Sequence, residues 1–264
     1  MPTIGEIVER LESFAPSALA EDWDNVGLLV GSPDWPATRI LTCLTVTPAT
    51  VTEALEERVE LIVAHHPLPF HPLRTITTAT TAGRLLLQLI SARIGVYSPH
   101  TAFDSAQAGI NQHLAIGLGL QQIEPLMPLA NTPESDVGSG RVGSVGEGLS
   151  LLELAQRVKA FLGLESVRMV GGDDQPVNRV AIACGSGGAL LPTAIQRGCD
   201  GLVSGEIGFH GCLEAEARGV GLVLPGHFAS ERFALLSLAD YLGEQVSGIE
   251  VWASRKECDP LRSV

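Results

Sequence analysis

Histidine and carboxylate side chains recur in three short groups of this sequence, and each group follows an apolar run. The groups are His65-His66 before Pro67 in LIVAHHP, His100 with Asp104 in YSPHTAFD, and His227 with Glu231 in VLPGHFASE. Imidazole and carboxylate are ligands that suit Zn, Fe, Mn or Ni rather than thiophilic ions. The chain has only 7 histidines, so three such groups together indicate a metal site more strongly than any one of them alone.

The spacing of these groups predicts where their side chains point. An apolar run predicts a strand, and the carboxyl ends of strands in an α/β sheet are where ligand crevices form. If a helix begins near His100 and another near His227, the acid four residues later lies on the same helical face. A lone His-His pair, or a lone His-x-x-x-acid group, is more often solvent-facing; convergence of all three at strand ends favours a common site.

Two metal ions are predicted rather than one, because the donor set exceeds what a four-coordinate site requires. The predicted ligands are His65, His66, Asp104, His227 and Glu231. Two divalent ions roughly 3.5–4 Å apart would lower the pKa of a bound water and orient it as a nucleophile. Glu231 is preferred over Asp104 as the bridging carboxylate because of its longer reach. His100 is predicted to act as an acid or base beside the ions, and a role as a ligand stays open.

The elements that must position these residues alternate between strand and helix patterns, which indicates an α/β fold of two similar lobes with mixed sheets and flanking helices. Strands are predicted at 39–46, 60–67, 178–185, 200–206 and 248–254. The interval from Arg39 to His65 equals that from Arg179 to Gly205, and a His-x-x-x-acid group follows in each half. This repetition predicts an internal duplication with the metal site in the cleft, although any α/β chain can produce a similar order by chance.

A Pro- and Gly-rich segment at 121–148 is the predicted boundary between the lobes. It precedes a helix pattern at 150–163, whose Ser150 and Glu153 form a capping-box signature. The last strand is expected to return to the first sheet. The predicted domains are therefore residues 1–126 with about 226–264, and residues 127–225.

Three further motifs have predicted roles outside the ligand set. Glu206 and His210 in SGEIGFH could contact substrate, although a solvated strand-to-helix turn explains them equally well. The motif EDWDNVGLLVG (21–31) is predicted to be a packing loop closing onto the cleft. In CGSGG (184–188), the glycine-rich turn could offer backbone amides to an anion.

The amino-acid composition disfavours several classes of protein. Of the 264 residues, 45% are hydrophobic, which suffices for a sizeable core, and the net charge of −13 disfavours binding to long nucleic acid. The 5 cysteines are scattered and form no CxxC pair, which disfavours a disulfide framework and a thiolate zinc site. Without a signal-peptide pattern or a long apolar stretch, the expected location is the cytoplasm, with no membrane association.

Five segments of the sequence resemble one family in order and spacing. They are EDWDNVGLLVG, IVAHHPLPF, YSPHTAFDSAQAGINQHLA, VSGEIGFH and PGHFASER. The chain resembles the GTP cyclohydrolase 1 type 2 homologues, in the short form without an inserted domain. The resemblance implies a dinuclear metal site on His65, His66, Asp104, His227 and Glu231, with His100 beside it, and a toroidal homohexamer. SGEIGFH is the weakest match.

Hydrolysis is the reaction class that the residues and the resemblance favour together. The expected protein is a dinuclear metal-dependent hydrolase of a small molecule, with ring opening of a nucleotide such as GTP by a metal-bound hydroxide as the activity that the family name implies. His100 and Glu231 are the predicted catalytic residues. The alternatives are a two-metal phosphoesterase or nuclease-like hydrolase, and a metal-binding regulatory or adaptor protein without catalytic activity.

Overall fold

The computed structural model describes residues 1–129 and 136–262. The α-helices are α1 Ile4–Phe14, α2 Pro48–Glu56, α3 Thr81–Ala92, α4 His100–Ser105, α5 Ile110–Gly117, α6 Leu151–Leu162, α7 Leu191–Gln196, α8 Phe209–Ala217 and α9 His227–Gln245. The β-strands are β1 Gly27–Val30, β2 Arg39–Cys43, β3 Leu61–Ala64, β4 Gly95–Ser98, β5 Gln121–Pro128, β6 Gly138–Ser150, β7 Arg168–Val170, β8 Pro176–Ala183, β9 Gly201–Ser204, β10 Gly221–Leu224 and β11 Glu250–Ala253. No helix in these two described ranges is long and apolar enough to span a membrane.

The chain forms two compact units. Unit 1 comprises Met1–Phe103 and Ala234–Val264, and unit 2 comprises Asp104–Phe233. The boundaries fall inside α4 and inside α9. Residues 104–126 therefore belong to unit 2, because β5 pairs with β6 and α5 packs against β6. The predicted division assigned these residues to the first domain. As limits of evolutionary domains, 126 and 226 stay a prediction.

Unit 1 is built on a five-stranded mixed sheet in the order β1-β4-β3-β2-β11. Strands β4, β3, β2 and β11 are parallel, and β1 is antiparallel to β4. The return of the last strand beside β2 confirms the sequence prediction. The centre of this sheet is apolar on both faces, as in parallel sheets covered by helices, and its core includes Leu41, Ile62 and Val96.

Unit 2 contains a six-stranded mixed sheet in the order β5-β6-β8-β9-β10-β7. Strands β8, β9 and β10 are parallel, and β5, β6 and β7 add antiparallel pairs at the two sides. The segment predicted as a boundary, 121–148, supplies β5 and β6 instead, apart from 130–135, which lie outside the described residues. Pro125 and Pro128 are compatible with β5 because it is an edge strand, the part of a sheet where proline is tolerated.

The same order of elements occurs in both units. Unit 1 contains β2-α2-β3-α3-β4 leading into α4, and unit 2 contains β8-α7-β9-α8-β10 leading into α9. The predicted helix starts are confirmed, since α4 begins at His100 and α9 at His227. Helix α6 likewise begins after Ser150, whose side chain and that of Glu153 form the predicted capping box. Two α/β units with mixed sheets and flanking helices are thus confirmed.

Candidate metal centre

Three imidazoles converge at the carboxyl ends of β3 and β4 in unit 1. His65 and His66 directly follow the apolar strand β3. Their backbone N–H groups donate to the carbonyls of Cys43 and Leu44 at 3.0 and 2.8 Å, which continues the pairing of β3 with the chain beyond β2. His100 follows β4, which is parallel to β3. One ligand nitrogen from each of the three rings lies within 4.8 Å of the other two, so these histidines could hold a metal ion.

A hydroxyl group orients the imidazole of His66. Thr45 Oγ1 lies 2.7 Å from His66 Nδ1, so Nε2 is the nitrogen through which His66 would bind a metal. The Glu257 carboxylate fixes this part of the chain, because it accepts hydrogen bonds from the backbone N–H of Leu44 at 3.0 Å and of Thr45 at 2.7 Å. A residue of the C-terminal segment therefore helps to position a predicted ligand.

Asp24 holds His100. Its buried carboxylate lies 2.7 Å from His100 Nδ1 and also accepts hydrogen bonds from the Thr101 N–H and hydroxyl. Burial alone would raise the pKa of Asp24, but the hydrogen bonds from His100 and Thr101 outweigh it and lower that pKa to about 2. His100 itself has a φ of +24°, an unfavourable value for a residue with a side chain, and such strain concentrates at functional sites. The sequence assigned EDWDNVGLLVG a packing role and missed this contact.

In unit 2, the first turn of α9 carries an imidazole and a carboxylate. His227 Nε2 lies 3.1 Å from Glu231 Oε2, as their four-residue spacing predicts. Glu206 Oε1 lies 2.9 Å from His227 Nδ1 and accepts a hydrogen bond from the Ser186 hydroxyl at 2.7 Å. The two carboxylates raise the pKa of His227 to about 9 against the effect of burial. Negative charge that favours a proton here also favours a metal cation.

A second carboxylate lies beside Glu231. An oxygen of Asp104 is within 4.8 Å of an oxygen of Glu231, which is only 4% exposed. The partly buried Asp104 and the buried Glu231 carboxylates repel each other unless a cation lies near them. Burial and the charges of both carboxylates raise the pKa of the neighbouring Cys184 thiol well above its usual value, so this cysteine is a neutral thiol. The donor set in unit 2 is one imidazole with two carboxylates, which suits the predicted metals.

Buried side chains fix the backbone around Asp104. Asn111 Nδ2 donates to the Asp104 carbonyl at 3.1 Å, while its Oδ1 accepts from the Cys184 N–H at 2.8 Å. The fully buried Arg141 guanidinium donates to the carbonyls of Ser105 and Ala106 at 3.4 and 2.6 Å. The carbonyl groups of residues 104–106, at and just after the end of the short helix α4, thus have donors from buried side chains, which hold the backbone that carries the Asp104 side chain.

The lack of a side chain at Gly185 leaves space for the Glu231 carboxylate. A Cβ atom at Gly185 would lie 2.0 Å from Glu231 Oε1, and the residue has a φ of +63°. Two amides of the CGSGG turn already bond hydroxyl groups of the chain, and anion binding by the turn's other amides stays a prediction. The N–H of Gly185 donates to Ser230 Oγ at 2.9 Å, and that of Gly187 donates to Ser204 Oγ at 3.2 Å.

The predicted site residues therefore form two groups. His65, His66 and His100 lie together in unit 1, and Asp104, His227 and Glu231 lie together in unit 2. Their union into one dinuclear site stays a prediction. Glu206 contacts His227, and His210 is an exposed residue of α8 with its ring 5.7 Å from that of Phe209; a role in substrate binding stays a prediction for both.

Comparison with known proteins places the chain in a family. Residues 2–260 match the model of Duf34/NIF3 (NGG1p interacting factor 3). The chain is 32% identical over 262 residues to a GTP cyclohydrolase 1 type 2 homolog of Clostridium perfringens, covering 99% of each. It is 34% identical over 264 residues to the protein of that name from Lactococcus lactis, again covering 99% of each. The crystal structure of a Bacillus cereus protein related to NIF3 matches with a TM-score of 0.92 and 25% identity, covering 100% of this chain and 99% of that one. The chain is a member of the Duf34/NIF3 family.

Proposed function

We propose that this protein is a dinuclear metal-dependent hydrolase whose two divalent ions are held by His65, His66, Asp104, His227 and Glu231. The observation that carries the proposal is that each unit holds its own cluster of candidate ligands, imidazoles in unit 1 and an imidazole with two carboxylates in unit 2. Helix α4 supports their union, because His100 and Asp104 are one helical turn apart along it. When bound, two such ions polarise a scissile bond and lower the pKa of a water molecule.

The chain's own residues then have separate tasks. Thr45 and Glu206 orient the rings of His66 and His227 through their Nδ1 atoms, as outer carboxylates and hydroxyls do at metal sites. The Glu231 carboxylate would help to hold the ions. His100, held at Nδ1 by Asp24, presents its other nitrogen to the site and would transfer a proton to or from the substrate.

The substrate class proposed is a small molecule, with a nucleotide as the leading candidate. The relatives from Clostridium perfringens and Lactococcus lactis carry the name GTP cyclohydrolase 1 type 2 homolog, which supports testing ring opening of GTP. We also propose a toroidal homohexamer in the cytoplasm, on the resemblance to the family. The net charge of −13 argues against long nucleic acid as the substrate.

Metal counting combined with a substrate screen tests the proposal. The purified chain is reconstituted with Zn, Fe, Mn or Ni, its metal content is measured by mass spectrometry, and it is offered GTP and a panel of phosphoesters. The proposal expects close to two ions per chain and turnover that is lost in Glu231→Gln. Glu244→Gln, which alters an exposed carboxylate on the same helix α9, is the matched control and should behave like wild type.

Each outcome assigns a function. Formate release from GTP supports the cyclohydrolase activity, and phosphate release from the esters supports a phosphoesterase instead. Fewer than one ion per chain after reconstitution with every metal would refute the dinuclear site. Two bound ions without turnover of any compound would favour a regulatory or adaptor protein.

A further inference from the structure

Two large aromatic side chains lie exposed beside His100 in unit 1. Trp23 is 63% exposed and Phe70 is 44% exposed. Their ring centroids are 6.1 Å apart, and they lie 6.1 and 5.8 Å from the centroid of the His100 ring. We refer to Trp23 and Phe70 as the aromatic surface. Its position beside a candidate acid–base residue distinguishes it from an ordinary exposed hydrophobic residue.

Hydrogen bonds fix the two loops that carry the aromatic surface. Asn25 Nδ2 donates to the carbonyl of Pro69 at 2.7 Å, which joins the Trp23 loop to the Phe70 loop. Asp24 lies between Trp23 and Asn25 and bonds His100 and Thr101. Both aromatic residues are therefore next in sequence to residues with defined contacts, and a surface held in place in advance loses little conformational entropy on binding a ligand.

The other tryptophans of the chain have structural partners. Trp35 lies under the Arg93 guanidinium at 5.2 Å. The guanidinium carbons of Arg39 and Arg255 lie 5.1 and 6.0 Å from the centroid of the Trp252 ring, and the Trp252 indole N–H donates to Glu53 at 3.3 Å. Among the residues that the structure describes, no cation lies over the face of Trp23. Its indole is thus available to a ligand.

We propose that the aromatic surface binds the planar heterocyclic ring of the substrate and holds it against His100. This inference rests on the proposed function, because it assigns the ring-binding part of the same site. The geometry decides how the ring binds: rings 6.1 Å apart and tilted by 40° leave no parallel slot between them, since each stacked pair needs about 3.5 Å. The ligand ring therefore stacks on the outer face of Trp23 or Phe70 and does not intercalate.

The planes of the neighbouring rings agree with this placement. The His100 imidazole is inclined at 80° to the indole of Trp23 and at 74° to the ring of Phe70. A flat ligand on the aromatic surface would thus have the imidazole standing beside it rather than stacked on it, which suits proton exchange with a ring nitrogen or oxygen. A purely aliphatic substrate would gain nothing from this arrangement.

Equilibrium dialysis of the metal-loaded chain against nucleoside monophosphates tests the inference. The probes are the adenosine, guanosine, cytidine and uridine monophosphates, with ribose 5-phosphate as the ligand that lacks the ring. Trp23→Leu should weaken binding of the preferred nucleotide about 5- to 150-fold, the range expected for one stacking contact, and Trp23→Phe should restore most of it. Phe209→Leu removes an exposed aromatic residue from α8 in unit 2 and should leave the affinity unchanged.

Three results would overturn the inference: no binding of any nucleotide to the wild type, equal affinity for ribose 5-phosphate, or equal affinity in Trp23→Leu. A change in the oligomer mass of Trp23→Leu without a change in affinity would assign the aromatic surface to a subunit contact instead. Metal content and turnover are measured on the same samples. Trp23-dependent binding without metal or turnover would refute the proposed hydrolase alone, and metal-dependent turnover without ring binding would refute this inference alone.

Discussion

The carboxylate of Asp24 and the imidazole of His100 form a buried pair, with Asp24 Oδ1 2.7 Å from His100 Nδ1. They are far apart in the sequence, and Asp24 also bonds Thr101, the residue that follows His100. A pKa of about 2 means that Asp24 is ionised at neutral pH. It therefore fixes the direction of the His100 ring. Because Nδ1 bonds Asp24, Nε2 is the ring nitrogen that points away from Asp24.

We predict that Asp24→Asn lowers turnover about 10- to 100-fold, the usual effect of removing a carboxylate behind a site histidine. An asparagine keeps the shape but removes the charged hydrogen-bond acceptor that holds the His100 ring in place. Initial rates on the substrate found by screening give the measurement, and metal content should stay at the wild-type level because His100 is outside the predicted ligand set. Asp22→Asn, on the exposed side of the same loop, is the control; an equal loss there would contradict the assigned role.

Gly185→Ala should reduce metal binding. The new Cβ would meet Glu231 Oε1 at 2.0 Å and displace the carboxylate. The φ of +63° adds a backbone cost of about 1–2 kcal/mol for any residue with a side chain. Competition with a metal-binding dye should show at least a tenfold weaker affinity for zinc, in line with disturbed ligand geometry.

A matched variant separates backbone strain from the clash. Gly163 follows α6 with a φ of +66°, and a Cβ there would meet no atom within 4 Å. Gly163→Ala should therefore lose similar stability in urea denaturation while binding zinc as the wild type does. Equal zinc affinities for both alanine variants would show that Glu231 tolerates the side chain at Gly185.

The sequence predicted the parts of the candidate site that depend on local pattern. The apolar run before His65 and His66 predicted the end of β3, and the apolar runs before His100 and His227 predicted the starts of α4 and α9. Contacts between distant segments carry no such pattern. Asp24 could be connected to His100 only through the tertiary fold, although the polar pair Asp24-Asn25 between apolar residues was a signal that this loop does more than pack.

The burial of Arg141 is a feature of the fold that the sequence pattern likewise did not predict. Its surroundings in the sequence, GSGRVGS, have the composition of an exposed linker, yet the side chain is fully buried. Glycines at 138, 140 and 143 let the backbone pass close to its neighbours: a Cβ at Gly138 would lie 2.3 Å from the Met127 carbonyl oxygen. A composition rich in glycine indicates a flexible segment. In the structure this segment is β6, which pairs with β5 and β8, and its glycines allow close packing against these neighbours.

Arg141→Met should destabilise the protein strongly. The guanidinium donates to the carbonyls of Gly138 and Gly140, both at 2.7 Å, as well as to those of Ser105 and Ala106. Burial lowers its pKa only to about 10, so it is charged at neutral pH. Each buried carbonyl left without a donor costs about 1–3 kcal/mol, so urea denaturation should show a loss of several kcal/mol. Arg157→Met, at an exposed position on α6, is the control and should change stability little.

The buried Glu53 should make stability depend on acid pH. Burial by itself raises its pKa, but hydrogen bonds from the Arg255 N–H, the Ser254 hydroxyl and the Lys256 N–H outweigh burial and hold the pKa below the ordinary value of 4.5. A carboxyl group whose pKa is lower in the folded than in the unfolded chain contributes stability above pH 4.5, and that contribution is lost as the pH falls through the folded pKa.

Glu53→Gln should therefore be less stable than wild type at pH 7, because the neutral amide accepts these hydrogen bonds less strongly. The difference in the free energy of unfolding between the two proteins should stay constant from pH 7 to about pH 6 and shrink as the pH falls below the ordinary carboxyl pKa. Urea denaturation at a series of pH values gives the measurement. Glu9→Gln, at an exposed position on α1, should parallel wild type throughout; a Glu53→Gln difference that stays constant down to pH 3 would show that the folded chain does not favour the ionised carboxylate.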